Sequence, residues 1–227
     1  RLEVSAIMVR VVDLRSDTVS LPTENMRLAM QRAEVGDSQK AEDPTVNRLE
    51  AMAAEMLGKE AAIFLPSGTM SNLIAIMSHT RRGDRVVLGQ LSHILNSEGD
   101  GVTAVAGVMP QAVPDDDGIP TPAAVDFAIT PPSADSPHTT LICLENTHNW
   151  ASGAAATPQE IAGIAEVARR YSVPIHVDGA RLFNAAVALR VKPSDLVKDV
   201  DSACFCLSKG LAAPVGSVLC GTREFIG

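Results

Sequence analysis

The chain has no excess of cations. Its 227 residues carry 19 Lys and Arg against 27 Asp and Glu, a formal charge of −8. A protein that grips nucleic acid needs a basic face for the phosphates, so no nucleic-acid partner is expected. Apolar runs long enough for a membrane helix, roughly 18 residues, are lacking too, and no membrane partner is expected. The opening RLEVSAIMVRVV has neither the apolar stretch nor the cleavage site of a signal peptide. The four cysteines, at 143, 204, 206 and 220, form no C-x-x-C pair. That argues against a metal site or a disulfide framework and for buried thiols in a reducing compartment, which here means the cytoplasm. No G-x-G-x-x-G follows any strand-like run, which argues against a dinucleotide-binding protein. Internal repeats and low-complexity segments are absent.

What is present is an alternation of short apolar runs and amphipathic stretches. With 46% hydrophobic residues the chain can bury the core of one domain or slightly more. Strands are expected at AAIFL (61–65), DRVVLG (84–89), TAVAGV (103–108), TTLICLE (139–145), VPIHVD (173–178), SACFCLS (202–208) and GSVLCG (216–221). Helices are expected over 44–58, 69–80 and 157–172. Pro44 after Asp43 suits a first helical turn and Gly58 a helix end, while Thr157 and Glu160 have the spacing of a capping box. Short strands separated by helices predict an α/β sheet covered on both faces. The Pro-, Asp- and Ser-rich stretch 110–137 is read as a surface excursion with one short helix near PAAVDFAI.

In such sheets ligands gather beyond the carboxyl ends of the strands. Ser67, Gly68 and Thr69 sit where a strand meets a helix, and can hold a phosphate on the helix N-terminus or serve as a simple cap. Asp178, at the end of an apolar strand, can cap the next turn or hold a cation. Lys209 ends another strand; a partly desolvated lysine there can form an imine with an aldehyde, the alternative being an ordinary surface lysine. Together a phosphate cradle, a carboxylate and an amine are the parts that pyridoxal 5′-phosphate requires. Arg181, beside the aspartate, can clamp a carboxylate through two parallel hydrogen bonds.

The blocks VDLRSDTVSLPT, VGDSQKAEDPTV, GKEAAIFLPSGTMSNL, LENTHN, HVDGARLFNAAVA and LSKGLAAPVGSVL resemble those of the threonine aldolases, and the resemblance covers residues 11 to 227. It implies the large domain of a three-layer, fold-type-I pyridoxal-phosphate enzyme with a mostly parallel, mixed sheet. It also implies an N-terminal arm over 1–20, a large domain over 21–227, and no small C-terminal domain within this chain. By the same resemblance Lys209 is the imine lysine and Asp178 the partner of the pyridine nitrogen. Ser67, Gly68 and Thr69 belong to the phosphate site, and Ser16 and Arg181 hold the substrate carboxylate. His93 stacks on the cofactor ring, Glu98 follows it, and His148 lies near the substrate hydroxyl. The implied reaction is retro-aldol cleavage of L-threonine or L-allo-threonine to glycine and acetaldehyde, with His93, or a water it orients, or else His148, as base. That chemistry belongs to threonine catabolism and glycine biosynthesis. A homodimer or homotetramer is implied as well.

The alternatives are a β-eliminating enzyme of the same fold and a non-catalytic cofactor-binding module. His79 and His138 are expected on the surface, and His176 as a satisfied interior or edge histidine. The chain departs from the family pattern at three places. Gln39 and Lys40 stand where a loop usually carries tyrosine, Ser97 replaces an aromatic residue, and Ser152 stands where glycine is common. The first two departures predict an altered diastereomer preference or low activity rather than a different reaction.

Overall fold

The computed structural model describes residues 12–133 and 137–227; residues 1–11, just over half of the arm expected over 1–20, lie outside the described residues. Helix α1 (Glu24–Arg32) and α2 (Pro44–Leu57) precede strand β1 (Ala61–Leu65) and α3 (Gly68–His79). Then come β2 (Arg85–Gly89), α4 (His93–Asn96), α5 (Gly101–Ala104), β3 (Met109–Val113), α6 (Pro122–Ala128) and β4 (Thr139–Glu145). The chain closes with α7 (Pro158–Tyr171), β5 (Ile175–Asp178), α8 (Leu182–Leu189), α9 (Pro193–Val197), β6 (Ser202–Cys206), β7 (Ser217–Gly221) and α10 (Arg223–Ile226).

The seven strands form one sheet in the order β1-β7-β6-β5-β4-β2-β3. All pairings are parallel except those of β7 with β1 and β6, so β7 alone is reversed. Alternation along each strand divides the side chains between two faces. Ile142 and Leu144 of β4 join the larger core beneath α2, α6, α7, α8 and α9, whereas Leu141 and Cys143 join a second core with Ile76 of α3 and Ile94 of α4. Both faces are dry, which is why the strands read as continuous apolar runs rather than alternating ones.

Local chemistry fixes the helix ends as expected. The Asp43 carboxylate accepts from the amides of Thr45 and Val46, Pro44 opens α2, and Gly58 closes it at φ 63°. Thr157 and Glu160 exchange both bonds of a capping box at the start of α7. All four cysteines are free and buried.

Three expectations are corrected. TAVAGV is not a strand: its first residues fall in α5, Val102 and Ala106 are buried four apart as on a helix, and Gly107 turns the chain at φ 70°. The strand begins afterwards, at Met109, as the sheet's edge, where Pro110 is tolerated. The stretch from 110 is therefore not all surface: Val113, Asp115 and Val125 are buried. His79 is half-buried against Phe225, with ring centroids 4.4 Å apart, because α10 covers the end of α3. His138 is half-buried as well, in the approach to β4, whereas His176 is fully interior and hydrogen-bonded, as expected.

Candidate active site

The carboxyl ends of β1, β2, β4, β5 and β6 lie along one edge of the sheet, and each delivers polar residues there. Six of them, Ser67, Thr69, His93, Glu98, Asp178 and Lys209, line a single cavity of about 310 Å³ together with Gly68, and Asn72, Ser97, Ala180, Cys206 and Ser208 complete the wall. Among the described residues, four other depressions, lined around Arg48, Asp201, Arg181 and Glu50, carry no such combination of amine, carboxylates and imidazole. Asp178 and Lys209, far apart in sequence, therefore share one space.

Each side chain is placed by local bonding. Ser67 caps α3, accepting from the Met70 amide at 3.2 Å, so the simple-cap role is real. The Gly68 and Thr69 amides still lead the helix without intrahelical partners. A side chain at 68 would not fit, since a Cβ there would lie 2.7 Å from Cys206 Sγ. Asp178 caps the next turn, one of the two roles open to it: Oδ1 accepts from the Ala180 amide at 3.0 Å, while Oδ2 accepts from the neutral Asn72 amide nitrogen at 2.9 Å. Burial, aided by the nearby Glu98 charge, pushes its carboxyl above the usual range, and Lys209 opposes that rise. A buried carboxylate so placed is short of positive charge.

His93 begins α4, where its backbone amide donates to Glu145 Oε2 at 2.7 Å. Its Nδ1 is 3.0 Å from Glu98 Oε1. The hydrogen bond to Glu98 raises its pKa above 6.5, against the effect of burial. Glu98 also accepts from Asn72 at 2.8 Å, so one amide ties both carboxylates together. Ligating atoms of His93, Glu98 and Asp178 come within 4.8 Å of one another; the Asn72 bridge and the His93 hydrogen bond account for that closeness.

The remaining expected residues are placed differently. His148 is buried away from the cavity wall: Nε2 lies 2.8 Å from Asp115 Oδ2, and Nδ1 accepts from the Ala151 amide at 3.1 Å. Arg181 faces a neighbouring depression lined also by Asp17, Thr147, Asn149 and Asn184. Its guanidinium holds Asp17 through two bonds of 2.8 and 2.9 Å and Asn149 through one of 3.0 Å. Ser16 caps the short turn Asp17–Val19. Among the departures, Ser97 lines the cavity and Gln39 and Lys40 form an exposed turn. Ser152 sits at φ 55°, a left-handed conformation that explains why glycine is common there.

Sequence reading missed Asn72, Asp115, Glu145 and Asp17. Asn72 carries a faint signal as an amide directly before the apolar run 73–77 of α3. Asp115 carries none, because an Asp run reads as solvated surface; it is buried by the Leu91 amide and His148.

The chain is similar to known proteins along nearly its whole length. Low-specificity L-threonine aldolase 1 of Arabidopsis thaliana is 49% identical over 224 residues, 97% of this chain and 63% of that protein. The low specificity L-threonine aldolase of Escherichia coli (strain K12) is 42% identical over 217 residues, 95% of this chain and 64% of that protein. The chain thus spans just under two thirds of the length of these curated relatives. Among solved structures, the threonine aldolase of Leishmania major shares the fold with a TM-score of 0.81 at 22% identity, over 93% of this chain and 63% of that one. The expected α/β architecture with a mixed sheet is therefore the one observed. A family profile, that of the beta-eliminating lyases, matches residues 13–227. The chain belongs to the beta-eliminating lyase family.

Proposed function

We propose that this chain carries the cofactor-binding part of a pyridoxal 5′-phosphate-dependent aldolase that cleaves L-threonine or L-allo-threonine to glycine and acetaldehyde. The observation that carries the reading is the convergence of Lys209 and buried Asp178 on one cavity headed by the N-terminus of α3. The donor set fits the cofactor: an amine for its aldehyde, helix amides for its phosphate, and an anion in need of a cation for its ring nitrogen. When bound, the cofactor supplies an electron sink for the pair released as the substrate's Cα–Cβ bond breaks.

The protein's own part follows from its bonding. Asp178 holds a proton on the ring nitrogen by charge. Glu98, as a carboxylate, can only accept, so His93 carries hydrogen on Nδ1. In the neutral ring Nε2 then holds the lone pair and can take the substrate's β-hydroxyl proton. His148, with both nitrogens engaged, holds the 145–151 loop instead. The Arg181 fork, held by Asp17, is the expected seat of the substrate carboxylate, with Ser16, which precedes Asp17 in the chain, as its expected companion. Residues 1–20 are assigned as an arm and 21–227 as the large domain, in a homodimeric or homotetrameric cytoplasmic enzyme of threonine catabolism and glycine biosynthesis.

Two measurements test this. Added pyridoxal 5′-phosphate should give a visible absorbance band and, after borohydride, a mass increase on Lys209; Lys209→Ala should abolish both. Allo-threonine should release acetaldehyde, followed with a coupled reductase. Release of a keto acid and ammonia instead would reassign the chain to β-elimination.

A further inference from the structure

A single file of hydrogen bonds crosses the interior and ends on the cavity's two carboxylates. His79 places Nε2 2.8 Å from Ser202 Oγ, which lies 2.9 Å from Nδ1 of His176. Nε2 of His176 lies 3.1 Å from Asn72 Oδ1, and the amide nitrogen of Asn72 reaches Asp178 and Glu98. Ser202, His176, Asn72 and Asp178 are all buried, so no bulk water relieves a mismatch among them.

The direction of the file follows from one end. Carboxylates only accept, so the Asn72 nitrogen must face them and Oδ1 must face His176. His176 therefore donates from Nε2. Burial, with His79 nearby, holds its pKa down at about 3, so the ring is neutral and Nδ1 offers a lone pair. The Ser202 hydroxyl donates into it and accepts in turn from His79. Every donor in the file points toward Asp178. A buried network satisfied in only one orientation is costly to leave half-made, and it specifies that orientation. Cys204 Sγ adds a weaker donor to Asn72 Oδ1 at 3.2 Å. Without a donor at Oδ1 the amide could turn and present oxygen to two carboxylates.

We propose that Ser202 and His176 are positioning residues: they lock the Asn72 amide so that its nitrogen holds Asp178 as the anionic partner of a cationic ring nitrogen. This rests on the cofactor reading above. Its chemistry belongs to this chain's side chains and is measurable without the cofactor.

The first test is the nitrogen-15 spectrum of the histidines in the cofactor-free chain. His176 should show a protonated Nε2 and a bare Nδ1, unchanged between about pH 5 and 8. An Nδ1–H tautomer, or an imidazolium in that range, overturns the proposal. The second test compares His176→Leu, which removes the donor, with His176→Gln, whose amide can replace Nε2. Affinity for pyridoxal 5′-phosphate, titrated by visible absorbance, should fall about tenfold in the leucine variant and largely recover in the glutamine variant. Parental affinity in the leucine variant, or no recovery in a folded glutamine variant, also overturns it. Should the leucine variant fail to fold, the tautomer in the parent decides. A parent that takes up no pyridoxal 5′-phosphate sinks the cofactor reading itself, whereas the wrong tautomer in a parent that binds it sinks only this one.

Discussion

His93 keeps its proton to higher pH than an ordinary histidine because the Glu98 carboxylate accepts from Nδ1. A protonated ring cannot act as a base, so the acid limb of kcat/KM should lie above the ordinary histidine value of 6.5. Glu98→Gln removes the largest cause of the rise, and the limb should move down; a limb unmoved in that variant would assign it to another group. Asp17 and Arg181 raise a different question, since an internal carboxylate already fills the fork in which substrate is expected. Removing it in Asp17→Ala should lower KM for the amino acid a few-fold with less change in kcat. The effect stays small because the pair is partly solvated and worth at most about 1 kcal/mol. A KM that rises instead would show that Asp17 aims the arginine rather than competing for it.

Elements were readable where an end carries its own chemistry. The bounds of α2 and α7 follow from Asp43, Pro44 and Gly58 and from the Thr157–Glu160 pair, because a cap involves only neighbours in sequence. Thr157→Ala should cost about 1 kcal/mol, measured as a lower denaturant midpoint, while cofactor binding stays unchanged because α7 lies away from the cavity. The misread run at 103–108 had no such marker. Its apolar residues fit alternation and helical spacing alike, and what decides between them is that Val102 and Ala106, four apart, both pack into the core with Ile76 and Ile94.

At the scale of the whole molecule, the site is a burden on the fold. The Asp178 carboxyl, raised by burial, binds its proton more tightly in the folded chain than in the unfolded one. Stability of the cofactor-free chain from this group is therefore greatest below the unfolded value of about 3.8 and is lost as pH rises above it. The midpoint temperature of Asp178→Asn should accordingly fall less between acid and neutral pH than that of the parent, and equal slopes would refute a raised carboxyl. Added pyridoxal 5′-phosphate should restore stability to the parent by binding only the folded state. A site that stabilises its ligand at the expense of the empty protein is a common compromise.

The sequence by itself determined the class of fold, six of the seven strands and the candidates Lys209, Asp178 and Gly68, since each sits at the end of a patterned run and needs no partner to be noticed; His93 came only from the family resemblance. Only the tertiary structure decided which polar residues face one another. Asn72 joins Asp178 to Glu98 and His176, Asp115 enters the interior to meet His148, and Arg181 is claimed by Asp17. Such pairings depend on the order in which strands lie in the sheet, and the pattern of any single strand does not encode its neighbours.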